Sequence, residues 1–283
     1  MTDNARIVGI FLVKNEDQFI KQAISNVLDF CDEIIVSDNQ SQDKTGEILK
    51  AIESKHQQVK IYEIDDPAQS QDLVTPFVGT NTWIFGVDGD EIYDPQRLSY
   101  LRKQLQIGDF SNYFRVVGNV LHCTELDGDR SCAKGYLAPP SRSMTKLFNF
   151  AALRRWDGPF IERLHGGNPT FIDGFDKYSI HRMHHETSWE QSDLRCLHVC
   201  FLPRSSVESG NRSARLNIME QSAAMSSRRA WIKTQLLKYL WGKSDYKRRH
   251  YMRGPVVEYD ARPFFVEYQG ASSKNIDAAD TNS

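Results

Sequence analysis

Trp83-Ile84-Phe85-Gly86-Val87-Asp88-Gly89-Asp90-Glu91 is the stretch on which the reading of this 283-residue chain turns. An apolar strand runs without a polar break into three carboxylates. A continuous apolar run of this kind reads as a strand covered on both faces, as in a buried parallel sheet. Alternation along an extended backbone sends Asp88 and Asp90 to the same side, and Gly89 lets the backbone approach a ligand. Like charges at a strand end repel unless a cation sits between them. A hard divalent ion with oxygen ligands meets that need, and a diphosphate would complete its coordination. A solvated acidic turn is the plainer alternative.

The preceding sequence supplies the rest of such a sheet. Arg6–Val13 (RIVGIFLV) is another nearly continuous apolar run and reads as the first strand. Glu16–Phe30 places Phe19, Ile20, Ala23, Ile24, Val27 and Leu28 at helical spacing. Glu33–Val36 is a second strand, Asp43–Ser54 a second helix, Val59–Ile64 a third strand and Trp83–Val87 the fourth. Strand–helix–strand repetition implies an α/β fold with a mostly parallel sheet and right-handed crossovers. Ligands of open parallel sheets bind beyond the carboxyl ends of the strands. There the loop Ser37-Asp38-Asn39-Gln40-Ser41-Gln42-Asp43-Lys44-Thr45 offers Asp38 as a hydrogen-bond acceptor for a base or ribose. Asp43 or a polar neighbour can cap the helix that follows.

Beyond about residue 95 the pattern changes. Leu98–Leu105 reads as a helix, Asn112–His122 as one strand, and Asp127–Arg142 as a turn-rich stretch with two glycines and two prolines. Further strands are expected at Thr145–Phe150 and Leu194–Leu202, and helices at Ser205–Ser226 and Arg228–Trp241. The polar, small-residue tail from Gly270 reads as disordered. The expected organisation is a catalytic domain over 1–202, with a nucleotide half (1–95) and an acceptor half (96–202). A basic helical extension follows over 203–269, then the tail.

Composition narrows the function classes. Thirty-five basic against 37 acidic residues leave a net charge of −2, so no global field recruits nucleic acid. Five cysteines, an odd number at low density, suit reduced thiols rather than a disulfide scaffold. Cys196-x-His198-x-Cys200 invites a zinc reading, but no second pair completes a tetrahedral site. The first apolar run, Ile7–Val13, is too short to span a bilayer and no cleavage site follows it, so the expected location is cytoplasmic.

Taken together, the first strand with Lys14-Asn15-Glu16, then EIIVSDNQSQDKT, then WIFGVDGDE resembles the family-2 glycosyltransferases. These are nucleotide-diphospho-sugar transferases of the GT-A fold, and the likeness is nearest to bacterial members of surface-polysaccharide and lipopolysaccharide-core synthesis. It covers residues 6–95 well and thins afterwards. The resemblance implies that Val13 and Glu16 line the nucleotide pocket and that Asp38 contacts uracil or ribose. It also implies that Asp88 and Asp90 are the DxD pair, Asp88 touching donor and metal and Asp90 being the direct ligand of Mn2+ or Mg2+. Many relatives carry an Arg-Asn pair before the DxD strand, whereas Ala68–Thr75 (AQSQDLVT) has no arginine.

In the second half, Lys146–Phe150 and Arg154–Glu162 are similar to the family's acceptor-side strand and loop. They make Glu162 the candidate general base and Asp157 the next, an ion pair of Glu162 with Arg163 or Arg155 being the alternative. Leu194–Val199 resembles a late strand whose histidine approaches the metal, which points to His198. Packing alone would equally account for it. His181, His184 and His185 form a denser cluster that lacks the glutamate of an HExxH motif.

Between Arg228 and Arg253 nine basic residues face one acid, Asp245, with Trp231 and Trp241 among them. A basic amphipathic helix of this kind suits an anionic membrane face. It would serve a lipid-linked acceptor, with the enzyme peripheral at the inner membrane face. A helix packed by its apolar side with a solvated basic rim is the alternative, and no nucleic-acid module accompanies the charge. The partners implied are a nucleotide-sugar donor, of which a UDP-sugar is the nearest match, and a saccharide or lipid-linked acceptor. Two other functions share these residues: an aspartate-nucleophile phosphatase using Asp88 and Asp90, and an inactive relative that only binds glycan or nucleotide.

Overall fold

A computed structural model describes residues 4–207 and 249–266. Its strands, in chain order, are β1 (Arg6–Val13), β2 (Glu33–Asp38), β3 (Val59–Glu63), β4 (Thr82–Asp88), β5 (Glu91–Tyr93), β6 (Arg115–Val117) and β7 (Asn119–Leu126). They continue with β8 (Cys132–Ala138), β9 (Lys146–Asn149), β10 (Leu153–Glu162), β11 (His165–Phe171), β12 (Ile180–Arg182), β13 (Arg195–His198) and β14 (Val256–Asp260). The helices are α1 (Ile20–Ser25), α2 (Thr45–Glu53), α3 (Gln69–Asp72), α4 (Pro95–Ile107) and α5 (Met183–Glu186). Among the described residues no helix is long and apolar enough to cross a membrane.

The expected α/β class and large central sheet are observed. Seven strands lie in the order β12-β6-β9-β4-β1-β2-β3. β3, β2, β1 and β4 are all parallel, and β9 runs antiparallel to β4 and β6. The apolar runs of β1, β2 and β4 are buried almost end to end, which is why their sequences show no alternation. α1 is shorter than its apolar spacing suggested: only Ile20–Ser25 is helical, and the flanking residues form turns. α4 carries its own signals, with Asp94 accepting a hydrogen bond from the Arg97 amide, Pro95 in the first turn and a left-handed Gly108 beyond its end.

A second, five-stranded sheet, β14-β8-β7-β13-β5, has no counterpart in the sequence reading. Its presence corrects several expectations. Asn112–His122 is not one strand: β6 belongs to the central sheet and β7 to the second, with the break at Gly118. A Cβ at Gly118 would stand 1.9 Å from the Leu194 carbonyl oxygen, so the chains meet where a side chain cannot fit. The turn-rich stretch contains the strand β8, and the strand foreseen over Leu194–Leu202 ends at His198. Of the foreseen C-terminal helices, Ser205–Val207 are not helical and the remainder lies outside the described residues. The described end of that region instead supplies β14, paired antiparallel with β8.

The two sheets meet at the decisive stretch. The chain leaves the central sheet at Asp88 and enters the second at Glu91, so Gly89 and Asp90 form the crossing. Phe85 anchors the approach, packed edge-on between Phe30 at 5.2 Å and Tyr93 at 4.7 Å. Gly118→Ala should destabilise the chain by about 3 kcal/mol, the upper end of ordinary overpacking costs, because the obstacle is backbone. Equilibrium denaturation checks this, and an unchanged midpoint would mean that the break at Gly118 has another origin.

Candidate functional site

Register brings the carboxylates to one edge. Val13 of β1 lies opposite Asp38 of β2, and Leu12 lies opposite Asp88 of β4. The loops beyond β1 and β2 are stitched together. Asn39 N–H donates to the Val13 carbonyl (2.9 Å), Asn15 N–H to Ser41 Oγ (2.9 Å), Gln42 N–H to Asn15 Oδ1 (2.7 Å) and Glu16 N–H to Thr45 Oγ1 (2.8 Å). Asp38 is buried and accepts from the Ser41 amide (3.0 Å) and hydroxyl (2.6 Å) through Oδ1. Val13, Glu16 and Asp38 therefore share one short, rigid rim.

Asp88 is gripped by two cations. Lys146 Nζ donates to Oδ2 at 2.7 Å, and Arg163 Nη2 donates to Oδ1. Arg163 is fully buried; its Nε donates to the Ile10 carbonyl (3.2 Å) and Nη2 also to the Val87 carbonyl (3.0 Å), strapping β1 to β4. Burial alone would raise the Asp88 pKa, but Lys146 and Arg163 outweigh it and hold the carboxyl well below the usual range. The arginine-free stretch 68–75 has a part here. Ser70 Oγ accepts from the Arg163 amide (2.9 Å) and Gln71 Oε1 from the Leu164 amide (2.7 Å), fixing the loop that presents the guanidinium.

Asp90 sits across the crossing in a second group. Arg204 Nη1 donates to Asp90 Oδ2 (2.6 Å) and lies 3.4 Å from Glu16 Oε1, and His198 Nε2 stands 3.7 Å from Asp90 Oδ1. Behind His198, its Nδ1 is 2.8 Å from His122 Nδ1, and His122 Nε2 is 2.8 Å from the Arg142 carbonyl. Burial, followed by the neighbouring His198, pushes the His122 pKa down to about 3, so the ring is neutral. Cys200 lies close by: its sulfur and one ring nitrogen each of His122 and His198 are within 4.8 Å of one another. Glu91, next to Asp90, is fully buried, with Oε2 accepting from the Asp88 amide (3.2 Å) and the Tyr93 hydroxyl (3.3 Å). Burial and the adjacent Asp88 charge raise its pKa to about 8.

Glu162 joins the Asp88 group. His165 Nδ1 is 3.0 Å from Glu162 Oε1, and Arg163 Nη1 is 3.5 Å from Oε2. Burial opposes its charge, but Arg163 and the His165 hydrogen bond lower its pKa, so it is ionised. Asp157 is not brought in: it lies exposed on the β10–β11 hairpin, paired with Arg155. The foreseen helical face of His181 and His185 does not form either, because His181 is on β12, packed against Phe110 (5.1 Å) and Tyr113 (5.0 Å), while His185 is on α5. Lys146, Arg204 and His122 had no assigned part in the sequence reading, and Arg163 had one only as an ion-pair partner of Glu162, a pair the structure forms at 3.5 Å. Only the buried lysine in an apolar strand was a legible signal.

The residues present fit a divalent cation. A buried carboxylate and a buried imidazole 3.7 Å apart are donors suited to Mn2+. Asp90 and His198 would hold the ion, with Asp88 beside it.

Residues 10–120 match the family model described as glycosyl transferase family 2, which bears out the resemblance in the motif-bearing part of the chain. That match spans the parallel strands β2, β3 and β4 and the second half of β1, within a mixed α/β fold with a large central sheet. The chain is similar to the SPbeta prophage-derived glycosyltransferase SunS of Bacillus subtilis, 28% identical over 120 residues. That alignment covers 41% of this chain and 27% of the relative, so the chain spans about a quarter of the curated relative's length. Among solved structures it is similar to glucosyl-3-phosphoglycerate synthase from Mycobacterium tuberculosis in complex with Mg2+ and uridine diphosphate. There the TM-score is 0.39 and the identity 17%, with 85% of this chain and 81% of that one covered. The mannosyltransferase PcManGT from Pyrobaculum calidifontis gives a TM-score of 0.31 at 17% identity, covering 44% and 37%.

Two outcomes follow from these contacts. Arg163→Met should cost about 3–5 kcal/mol in denaturant unfolding, since it leaves Asp88 and Glu162 without their buried guanidinium; a loss under about 1 kcal/mol would show that Lys146 suffices. Glu91 has a folded pKa above its ordinary 4.5, so the folded state keeps the proton and stability declines as pH rises through about 8. In metal-free buffer Glu91→Gln should flatten that decline, and parallel pH profiles of variant and wild type would contradict it.

Proposed function

We propose that the chain is an inverting glycosyltransferase that moves a sugar from a nucleotide-diphosphate donor to a saccharide or lipid-linked acceptor. The observation that carries the reading is the shared edge of Asp38 and Asp88, with Asp90 in the crossing just beyond it, within residues 10–120, the stretch that matches family 2. Val13, Glu16 and Asp38 form the rim that receives the nucleoside, a UDP-sugar being the donor the motifs favour. Asp90 and His198 hold Mn2+ or Mg2+, with Asp88 beside them. When bound, the ion neutralises charge on the departing diphosphate.

The chain's own residues do the rest. Arg204, Lys146 and Arg163 offset the charge of Asp90, Asp88 and Glu162 at that edge, pairings that are strongest where water is excluded. Glu162 is ionised and stands on the Arg163 side of the cluster, so it can accept the acceptor hydroxyl's proton. The exposed Asp157–Arg155 pair supports that role less well. Single displacement at the anomeric carbon then inverts its configuration. A lipopolysaccharide-type acceptor and membrane contact through 228–253 complete the reading at the cytoplasmic face; of that segment only 249–253 is described.

An aspartate-nucleophile phosphatase is less well supported, because both Asp88 oxygens are engaged by Lys146 and Arg163 instead of facing a phosphorus. An inactive binder would keep nucleotide affinity without transfer. A thermal-shift panel of nucleotide-sugars with Mn2+ separates these. One donor at a hundredfold over its Kd should raise stability by about 2.7 kcal/mol, and Asp90→Ala should abolish the rise. Glu162→Gln should keep the rise and lose transfer. Stabilisation by no nucleoside diphosphate would overturn the proposal.

A further inference from the structure

His122 lies in the second sheet, outside every motif, yet its ring contacts His198, the imidazole assigned above to the cation. The two stand opposite one another in the parallel register of β7 and β13. His122 Nε2 is 2.8 Å from the Arg142 carbonyl oxygen. A carbonyl only accepts, so this nitrogen carries a proton. The carbonyl is itself held in place, because the Arg142 amide donates to the His250 carbonyl at 2.8 Å. The His122 ring is buried and stacked on Tyr251 at 4.5 Å, surroundings that suit a neutral imidazole. A neutral ring protonated at Nε2 has a lone pair at Nδ1. That Nδ1 is 2.8 Å from His198 Nδ1, so the proton between them belongs to His198. With its Nδ1 proton committed to His122, the His198 ring has Nε2 as the nitrogen that faces Asp90, 3.7 Å from Oδ1, and in the neutral ring that nitrogen carries the lone pair.

We infer that His122 is a positioning residue: it accepts the His198 Nδ1 proton and so turns the His198 Nε2 lone pair toward Asp90 and the cation. The inference rests on the proposed cation site, and it adds to that site the group that sets the ligand's tautomer. Partners of this kind orient a ligating imidazole and raise its basicity. The polarity runs in one direction, from the Arg142 carbonyl through two rings to Asp90. It links the segment around His250 and Tyr251 to the crossing between the sheets. Cys200 offers a rival arrangement, in which a softer cation sits between the thiolate and one ring nitrogen of each histidine. That arrangement needs a lone pair from His122, whereas its Nε2 proton meets the Arg142 carbonyl and its Nδ1 lone pair accepts from His198.

The full chain tests this in two ways. Nitrogen-15 imidazole spectra of the metal-free protein should show His198 protonated at Nδ1 and His122 bare at Nδ1; a proton on His122 Nδ1 and none on His198 Nδ1 overturns the inference. Mn2+ titration followed by electron paramagnetic resonance, with UDP present, should show binding weakened about 10–100-fold by His122→Phe. His122→Asn, whose amide oxygen can accept the same proton, should restore most of that loss. If His122→Phe melts early, the spectra of the unmutated chain still decide. Wild-type Mn2+ affinity in a folded His122→Phe, alongside loss in His198→Ala, overturns the positioning role alone. Unchanged affinity in both Asp90→Ala and His198→Ala overturns the cation site, and this inference with it. A thiolate-to-cobalt absorption band that Cys200→Ser removes would make His122 a ligand and overturn it as well.

Discussion

The buried guanidinium of Arg163 holds this site together. It reaches carbonyls of two parallel strands, Ile10 and Val87, and places a fixed positive charge against Asp88 and Glu162. A buried charge is tolerated only when it is paired and its hydrogen-bonding capacity is used, and Arg163 meets both conditions. Lys146 completes the enclosure from β9, where its own burial opposes the charge but Asp88 more than offsets it. Asp88 thus belongs to the framework as much as to any ligand. The carboxylate beyond it, Asp90, meets His198 of the second sheet and Arg204 from the segment that follows β13.

That division follows from the crossing at Gly89-Asp90. Because the chain passes from the central sheet into the second one there, Lys146 of the central sheet meets Asp88 and His198 of the second sheet stands by Asp90, while Arg163 and Arg204 come from outside both sheets. Asp88 collects Lys146 and Arg163; Asp90 collects His198 and Arg204. Gly89 sits between them against Glu16, where a Cβ would lie 3.0 Å from Glu16 Cγ. The rim of Val13, Glu16 and Asp38 and the crossing are therefore one packed unit. A cation bound there would be sensed by strands from both sheets.

Much of the central sheet was legible in the sequence. β1, β2 and β4 are apolar runs covered on both faces, and such runs announce themselves without any knowledge of their neighbours. The position of Asp38 and Asp88 at strand ends followed from the same runs, since register only had to bring those ends together. The second sheet was not legible. β8 is interrupted by glycine and ends before two prolines, β7 is split from β6 by one glycine, and β13 is four residues long. Strands this short are stabilised by their partners more than by local propensity.

The amino-acid sequence by itself determined the α/β class, the parallel strands and the acidic edge, because hydrophobic period and strand-end charge are local properties. Tertiary structure alone decided the cations that meet Asp88, the imidazole behind His198 and the exclusion of Asp157 from the cluster. Each of those depends on pairing between residues far apart in the chain, Lys146 and Arg163 with Asp88, His122 with His198. Distance along the chain carries no information about which buried charge will meet which. Strand order and register, and the turn between β10 and β11 that presents Arg163, set that choice, through the requirement that every buried charge find its partner.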